Sequence, residues 1–141
     1  MRTALEFHDS DLGSVTLGGG DVVVEFAPGY VHQWEKREGR WHGTGWLRDV
    51  RICIQAGALA TPAPGLPTEV DDGILSIGAD VHNGLVPVPF TAQGPTRLRL
   101  ELFNAEPLEV SGTGVVIELA TDGEYVEDLP DEWAPGDNAT A

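Results

Sequence analysis

Residues 96–103 read TRLRLELF, and this stretch decides the fold class because apolar and polar side chains alternate along it. Leu98, Leu100 and Leu102 occupy every second position, with charged residues between them. Such a period of two is typical of a strand that has one face buried and the other in water. The stretch therefore predicts an antiparallel strand.

The same period recurs outward along the chain in both directions. It appears in residues 46–59 (WLRDVRICIQAGAL) and in residues 114–120 (GVVIELA). Turn-forming residues separate such runs, among them Gly18–Gly20, Asn83-Gly84 and residues 104–107. About nine or ten short strands at this spacing are typical of a β-sandwich or β-barrel.

The predicted architecture is an all-β, single-domain antiparallel β-sandwich or flattened barrel over residues 1–128. A chain of 141 residues is long enough for one core, and its 18 Gly and 10 Pro favour frequent turns over long helices. The last residues, 129–141, read LPDEWAPGDNATA and are acidic and poor in aliphatic side chains. They are expected to form a flexible tail.

The charge and the single cysteine limit the classes of partner and the compartment. The formal net charge is −15 at pH 7, so nucleic acid and anionic membrane surfaces would be repelled. Cys53 is the only cysteine, which excludes an intramolecular disulfide and favours a reducing compartment. The N-terminus lacks the pattern of a secretory signal, and no apolar run approaches the roughly 20 residues of a membrane span. A cytoplasmic location is expected.

Residues 30–46, YVHQWEKREGRWHGTGW, hold three of the four Trp and two of the four His. This segment is either a buried aromatic strip or an aromatic and imidazole recognition surface. The strand register decides between the two. The even-numbered residues of the run 22–26 are expected to be buried, and a straight strand would carry that parity onward into the core. A one-residue bulge at Pro28-Gly29 would turn the aromatic side chains to the other face.

If the segment is a recognition surface, its tryptophans supply apolar contact area and its His and Arg side chains orient the polar groups of a ligand. The candidate ligand-binding residues are Tyr30, His32, Trp34, Trp41, His42, Trp46 and Arg48. The stretch Gly43–Gly45 is expected to form a tight loop, which would either let a ligand approach the backbone or serve a hairpin turn.

A metal-assisted hydrolytic enzyme is the first alternative. His8, Asp9 and Asp11 could ligate a metal together with a distant His, although no spacing in this stretch enforces ligation. Asp9 and Ser10 are also residues that a turn favours. No metal or other cofactor is therefore expected. A nucleophile elbow is absent from the sequence, Cys53 lies in a strand-like run, and no catalytic residue is predicted.

The function predicted from these patterns is a non-catalytic binding or interaction module whose surface lies at residues 30–48. Its partner would be a small molecule or a protein, with nucleic acid and membranes excluded. A second alternative, a small acidic inhibitor of a basic protein, rests on the charge alone. A homodimer is also expected, because sheet edges pair and leftover aromatic residues are typical of interface cores.

Four stretches carry a resemblance to a family: EFHDSDL, FAPGYVH, GTGW and GTGVVIELATDGEYVEDLP. Together they resemble a set of small bacterial β-rich proteins of unknown function, which share an FHDS start, a YVH strand, a GTGW turn and a YVED-like closing segment. The resemblance implies a single β-rich domain and brings no activity with it.

Overall fold

The computed structural model describes residues 1–135, and antiparallel strands make up most of this part of the chain. Its strands are β1 (Arg2–Glu6), β2 (Asp11–Gly18), β3 (Asp21–Arg37), β4 (Arg40–Gln55), β5 (Ala58–Leu59), β6 (Thr68–Ile77), β7 (Asp80–Asn83), β8 (Leu85–Pro87), β9 (Phe90–Leu102), β10 (Leu108–Leu119) and β11 (Glu124–Asp128). One turn of 3-10 helix follows at Asp131–Trp133.

Six of the strands close into a ring. In order around the ring they are β2, β3, β4, β10, β9 and β6, with β6 pairing back onto β2. The β2–β6 pairing is short and joins Asp11 to Glu69 and Leu12 to Thr68. The prediction of an all-β antiparallel fold is confirmed. Of the two architectures considered, the strands adopt the barrel, because one continuous sheet curls onto itself.

The interior of the ring is filled by the alternating apolar side chains that the sequence singles out. Val50, Ile52 and Ile54 are fully buried, whereas the intervening Arg51 and Cys53 are only partly buried. Leu98, Leu100, Leu102, Val115 and Ile117 join the same core, and Leu119 packs against it. Burying each such side chain contributes about 1.5–3 kcal/mol relative to leaving it exposed.

Two local expectations are wrong. The apolar pattern of residues 74–81 predicts one strand, but the chain reverses at Gly78 (φ 59°) and gives β6 and β7. The composition of Gly43–Gly45 predicts a tight loop, but this stretch lies inside β4. The reversal in that hairpin occurs instead at Glu38-Gly39, whose φ angles are 51° and 78°.

The β3–β4 hairpin is longer than the ring and extends beyond it. Residues 30–37 of β3 and 40–47 of β4 form this extension, here named the arm. Strand β1 pairs with β3 along one side of the arm and β8 pairs with β1, while β11 pairs with β4 along the other side. The arm is thus the centre of a five-stranded sheet that continues from the barrel wall.

The predicted tail begins in contact with the arm. The Leu129 amide donates a 2.9 Å hydrogen bond to the Gly43 carbonyl, and the Leu129 side chain is buried. The chain then makes its 3-10 turn and brings Trp133 onto the sheet. The rest of the predicted tail, including the Asn138 sequon, lies outside the described residues.

Candidate functional site

A β-bulge in β3 determines which way each side chain of the arm points. The register steps from Phe26 opposite Val50 to Gly29 opposite Arg48, so β3 has one residue more than β4 between these pairs. Because side chains alternate between faces, one extra residue reverses the parity. Val31 consequently joins the barrel core, and the even-numbered aromatic residues turn to the opposite face. This is the bulged register that the sequence left open.

The outer face of the arm carries Tyr30, His32 and Trp34, and all three are buried. Two glycines of β4 make room for their rings. A Cβ atom on Gly43 would lie 2.5 Å from Cζ3 of Trp34, and one on Gly45 would collide with the hydroxyl of Tyr30. The glycines of the GTG motif therefore receive the chain's own aromatic rings, which explains their position within a strand.

Tyr30 is tied to the edge strand β11. Its hydroxyl donates a 2.5 Å hydrogen bond to Oε1 of Glu127. Burial, and then the hydrogen bond and negative charge of Glu127, raise the pKa of the Tyr30 phenol far above its usual value. Tyr30 is therefore a neutral, fixed donor that holds β11 against the arm.

His32 lies between two aromatic rings and has an unpartnered nitrogen. Its ring stacks on Trp133 with centroids 6.1 Å apart and an interplanar angle of 10°, and it meets Tyr30 edge-on at 5.4 Å. His32 is 5% exposed, and its buried Nε2 has no hydrogen-bond partner among the described residues. Oε2 of Glu6 lies 3.7 Å from that atom.

Trp41 lies further out on the same face, near the tip of the arm. Cζ of Arg2 lies 5.2 Å and Nζ of Lys36 lies 5.6 Å from the centroid of its ring. These are cation–π distances, so the two basic side chains help to hold the indole in place.

The inner face of the arm continues the inner surface of the barrel and forms a concavity of about 590 Å³. Trp46 forms its inner end, because the indole packs against the barrel core. The concavity is lined by Met1, Gln33, Glu35, Arg37, His42, Gly43, Thr44, Trp46, Asp128, Leu129 and Asp131. Mouths of β-barrels are places where small ligands commonly bind. This feature is named the mouth concavity below.

A chain of hydrogen bonds holds the polar groups of the mouth concavity. Nε1 of Trp46 donates to Oγ1 of Thr44 at 2.8 Å, and Oγ1 of Thr44 donates to the Gln33 carbonyl at 3.4 Å. Nη1 of Arg48 donates to Oε1 of Gln33 at 2.8 Å. This bond fixes the orientation of the Gln33 amide, which keeps its Nε2 donors and the second lone pair of Oε1 for a ligand.

Charged groups stand opposite one another at the outer end of the concavity. Glu35 pairs across the strands with His42, and its Oε2 accepts a 2.5 Å hydrogen bond from Arg37. Asp128 and Asp131 lie along the side formed by β11 and the following turn. Three carboxylates thus accompany one guanidinium and one imidazole, and the balance is acidic.

The seven candidate ligand-binding residues do not share one surface. Those on the outer face are Tyr30, His32, Trp34 and Trp41, and those on the inner face are His42, Trp46 and Arg48. His42 is exposed and lines the mouth concavity, whereas His32 lies beneath Trp133. The structure divides the seven residues between two faces, because neighbouring strand residues point to opposite faces.

The residues of the metal hypothesis lie in the β1–β2 turn. Asp9 has a φ of 69°, and Nδ1 of His8 lies 3.2 Å from the Asp71 carbonyl oxygen. Oγ of Ser10 donates to the Glu6 carbonyl at 2.6 Å. Within residues 1–135, no three His, Cys, Asp or Glu side chains converge in a way that could hold a metal ion.

Cys53 and His82 lie away from the arm's inner face. Sγ of Cys53 is 3.8 Å from Oδ2 of Asp21, and burial, followed by the charge of Asp21, raises the pKa of the thiol. A protonated thiol is a poor nucleophile. His82 meets Phe90 edge-on at 5.3 Å.

Several residues of the two faces were missed by sequence reasoning. Gln33, Glu35 and Thr44 line the mouth concavity, but they look like ordinary polar positions of a strand. The sequence feature that could have identified them is the bulge at Pro28-Gly29, since it brings the odd-numbered residues of β3 to the inner face. Trp133 falls in the predicted tail, and no local pattern indicates that it stacks on a histidine 101 positions earlier.

The fold and site define an all-β protein with a closed antiparallel barrel and an extended arm at its mouth. No family model, no curated protein and no solved structure matches the chain. The resemblance to small bacterial β-rich proteins stays a prediction. Within residues 1–135 there is no helix of the length and apolarity that crossing a membrane requires.

Proposed function

We propose that the protein is a non-catalytic binding module and that the mouth concavity is its ligand site. The observation that carries the proposal is the pre-oriented indole of Trp46 at the inner end of a concavity of about 590 Å³. Most of the lining is polar or charged, so the indole is the apolar surface on which a ligand could stack, and the surrounding polar groups would determine its orientation.

The site offers a ligand one aromatic surface and several hydrogen-bonding groups. The ring of Trp46 is held through Thr44, and the amide of Gln33 is held through Arg48. Side chains that are already fixed lose little conformational entropy when a ligand binds. The arrangement supports recognition of a small polar molecule that has one apolar face, such as a ring bearing several hydroxyl groups.

The charge of the site supports an uncharged or cationic ligand. Glu35, Asp128 and Asp131 line the concavity, and the whole chain carries a net charge of −15. Anionic ligands would meet both local and long-range repulsion. The same charge supports a partner other than nucleic acid or an anionic membrane surface, and the single cysteine supports the proposed cytoplasmic setting.

A ligand panel tests this function. Uniformly ¹⁵N-labelled protein is titrated with neutral monosaccharides, polyamines, neutral amino acids and, as anionic controls, sugar phosphates. At least one uncharged or cationic compound should bind and shift the signals of Gln33, Thr44 and the Trp46 indole. Sugar phosphates should bind at least tenfold more weakly because of the carboxylates.

A pair of variants separates the two faces of the arm. Gln33→Ala should weaken binding about tenfold, which corresponds to one lost hydrogen bond of about 1.4 kcal/mol. Trp41→Ala, on the outer face, should leave binding unchanged. If no compound of the panel binds below about 10 mM, or if every binder shifts only outer-face signals, the mouth concavity is not the site.

A further inference from the structure

The outer face of the arm contains a second groove, which the C-terminal segment only partly fills. It measures about 290 Å³ and is lined on β1 and β8 by Arg2, Ala4, Leu85 and Pro87 and on its other sides by Trp34 and Trp133. This feature is named the Trp133 groove. It lies on the opposite face of the same sheet from the mouth concavity and shares no lining residue with it, although the Asp131–Trp133 turn contributes Asp131 to the concavity and Trp133 to the groove.

The contact between Trp133 and His32 has the character of a bound ligand rather than of a core. The two rings stack nearly in parallel, but Trp133 remains 54% exposed. Beneath it, the buried Nε2 of His32 has no hydrogen-bond partner among the described residues. A buried polar atom of this kind is normally paired with protein or with an ordered water, so the stack of Trp133 leaves His32 without its full set of hydrogen bonds.

The segment that delivers Trp133 is self-contained. Its two turn hydrogen bonds, Trp133 N–H to Pro130 O and Ala134 N–H to Asp131 O, both measure 3.0 Å and close within the segment. Both hydrogen bonds would remain intact if the segment left the groove. A segment of another protein with the same local sequence could form the same turn and present an aromatic ring in the same way.

The surroundings of the groove suit an acidic segment. Arg2, His32 and His82 line the groove, and its described lining includes no Asp or Glu. Asp131 lies in a neighbouring depression together with Arg40 and His42. Glu6, which lies 3.7 Å from Nε2 of His32, is the carboxylate close to the stacked rings. Arg2 in the groove and Arg40 beside Asp131 thus place two guanidinium groups near an acidic turn, on an otherwise strongly acidic chain.

We infer that the Trp133 groove is a docking site for an acidic peptide segment of a partner protein that carries one aromatic residue, and that the Asp131–Trp133 turn occupies the groove as an intramolecular competitor. The chain's own turn supplies the chemistry of the occupant: two carboxylates followed by an indole. A tethered segment of this kind has an effective concentration in the millimolar range, so a partner must bind more tightly than the turn does.

The test uses a synthetic peptide with the sequence of residues 128–135, DLPDEWAP, and the full-length chain. The peptide is titrated into wild type and into Trp133→Ala by calorimetry, with the signals of His32 and Trp34 followed by NMR. It should bind Trp133→Ala at least tenfold more tightly than wild type, because the variant lacks the competing indole. A peptide with Ala in place of Trp should not bind, and one with Asn and Gln in place of Asp and Glu should bind more weakly.

Several results would overturn the inference. Equal binding to both proteins, binding to neither, or equal binding of the Trp-free peptide would each contradict it. Sedimentation compares the association states of the two proteins. If wild type formed dimers and Trp133→Ala did not, the occupant of the groove would be a second copy of the chain, which would contradict the inference. Should Trp133→Ala fail to fold, Trp133→Phe keeps a ring in the groove, and the peptide should then bind with an affinity between those expected for wild type and the Ala variant.

Discussion

The backbone amide of Tyr30 donates a 2.8 Å hydrogen bond to Oγ of Ser10, which precedes it by 20 residues. Ser10 is buried and donates its own proton to the Glu6 carbonyl. The hydroxyl thus connects the β1–β2 turn to the first residue of the arm, directly after the β3 bulge. This contact helps to fix the register that sends Val31 into the core and His32 out of it.

Removing the Ser10 hydroxyl should therefore destabilise the fold. Ser10→Ala leaves the buried Tyr30 amide without its acceptor, which typically costs about 1–3 kcal/mol of unfolding free energy. Denaturant titration measures the change. Ser14→Ala, at a half-buried position of β2, is the matched control and should change stability by less than about 0.5 kcal/mol. Equal effects of the two variants would mean that Ser10 does not hold the bulge in place.

The glycines of the GTG motif should tolerate no side chain. Gly43→Ala would drive a methyl group into the Trp34 ring, and Gly45→Ala would drive one into the Tyr30 hydroxyl. Overpacking of this kind costs about 1–3 kcal/mol. Gly18→Ala is the control, since a methyl group at that position would have nothing within 4 Å. Thermal unfolding should separate the two arm variants from Gly18→Ala, and unchanged melting temperatures would contradict the described packing.

Stability should fall at high pH because of Tyr30. Its folded-state pKa is raised, first by burial and then by Glu127, so the stabilisation is fully present below the unfolded value of about 10 and is lost as the pH rises above it. The expected slope is at most about 1.4 kcal/mol per pH unit for this one group. The Tyr30→Phe variant should lose the part of the pH dependence of stability that comes from Tyr30. The part that comes from Tyr125 is the same in the variant and in wild type. Denaturant titrations at pH 9 to 11 measure the unfolding free energy of both proteins. If this free energy changed equally with pH in wild type and in Tyr30→Phe, the description of Tyr30 as a buried, hydrogen-bonded phenol would be contradicted.

The hydroxyl of Thr44 should matter for ligand binding more than for stability. Thr44→Val keeps the shape of the side chain but removes the acceptor for Nε1 of Trp46. The indole then loses its fixed orientation, and affinity for a mouth ligand should fall about tenfold while stability falls by about 1 kcal/mol. Thr16→Val, on the exposed face of β2, should alter neither quantity. Calorimetric titration of a ligand from the panel provides the comparison.

The fold class was predictable because it depends on short-range alternation. The runs at 50–54 and 98–102 bury the side chains that the pattern selects, since a period of two requires only a strand with one buried face. The β6–β7 reversal at Gly78 was missed because apolar residues continue on both sides of it. Positive φ at a single glycine leaves little trace in such a run.

The arrangement of the site was less predictable, because it depends on one residue of register. The sequence of residues 30–46 is compatible with a buried strip and with a recognition surface. The bulge between Phe26 and Gly29 determines the register, and the register places His32 and His42 on opposite faces of the arm. The stack of Trp133 on His32 depends on a contact across the whole chain, for which a single sequence holds no signal. Local patterns therefore indicated an aromatic segment without indicating its two faces.

The most direct test of the mouth concavity as a ligand site is the map of the four tryptophan indole signals in ¹H–¹⁵N spectra during titration with a binder from the panel. We expect the Trp46 signal to shift and saturate, since its ring forms the inner end of the concavity. The signals of Trp34, Trp41 and Trp133 should stay nearly unchanged, because their rings belong to the outer face. A saturating shift of Trp34 or Trp133 with Trp46 unaffected would contradict the assignment of the ligand site to the mouth concavity.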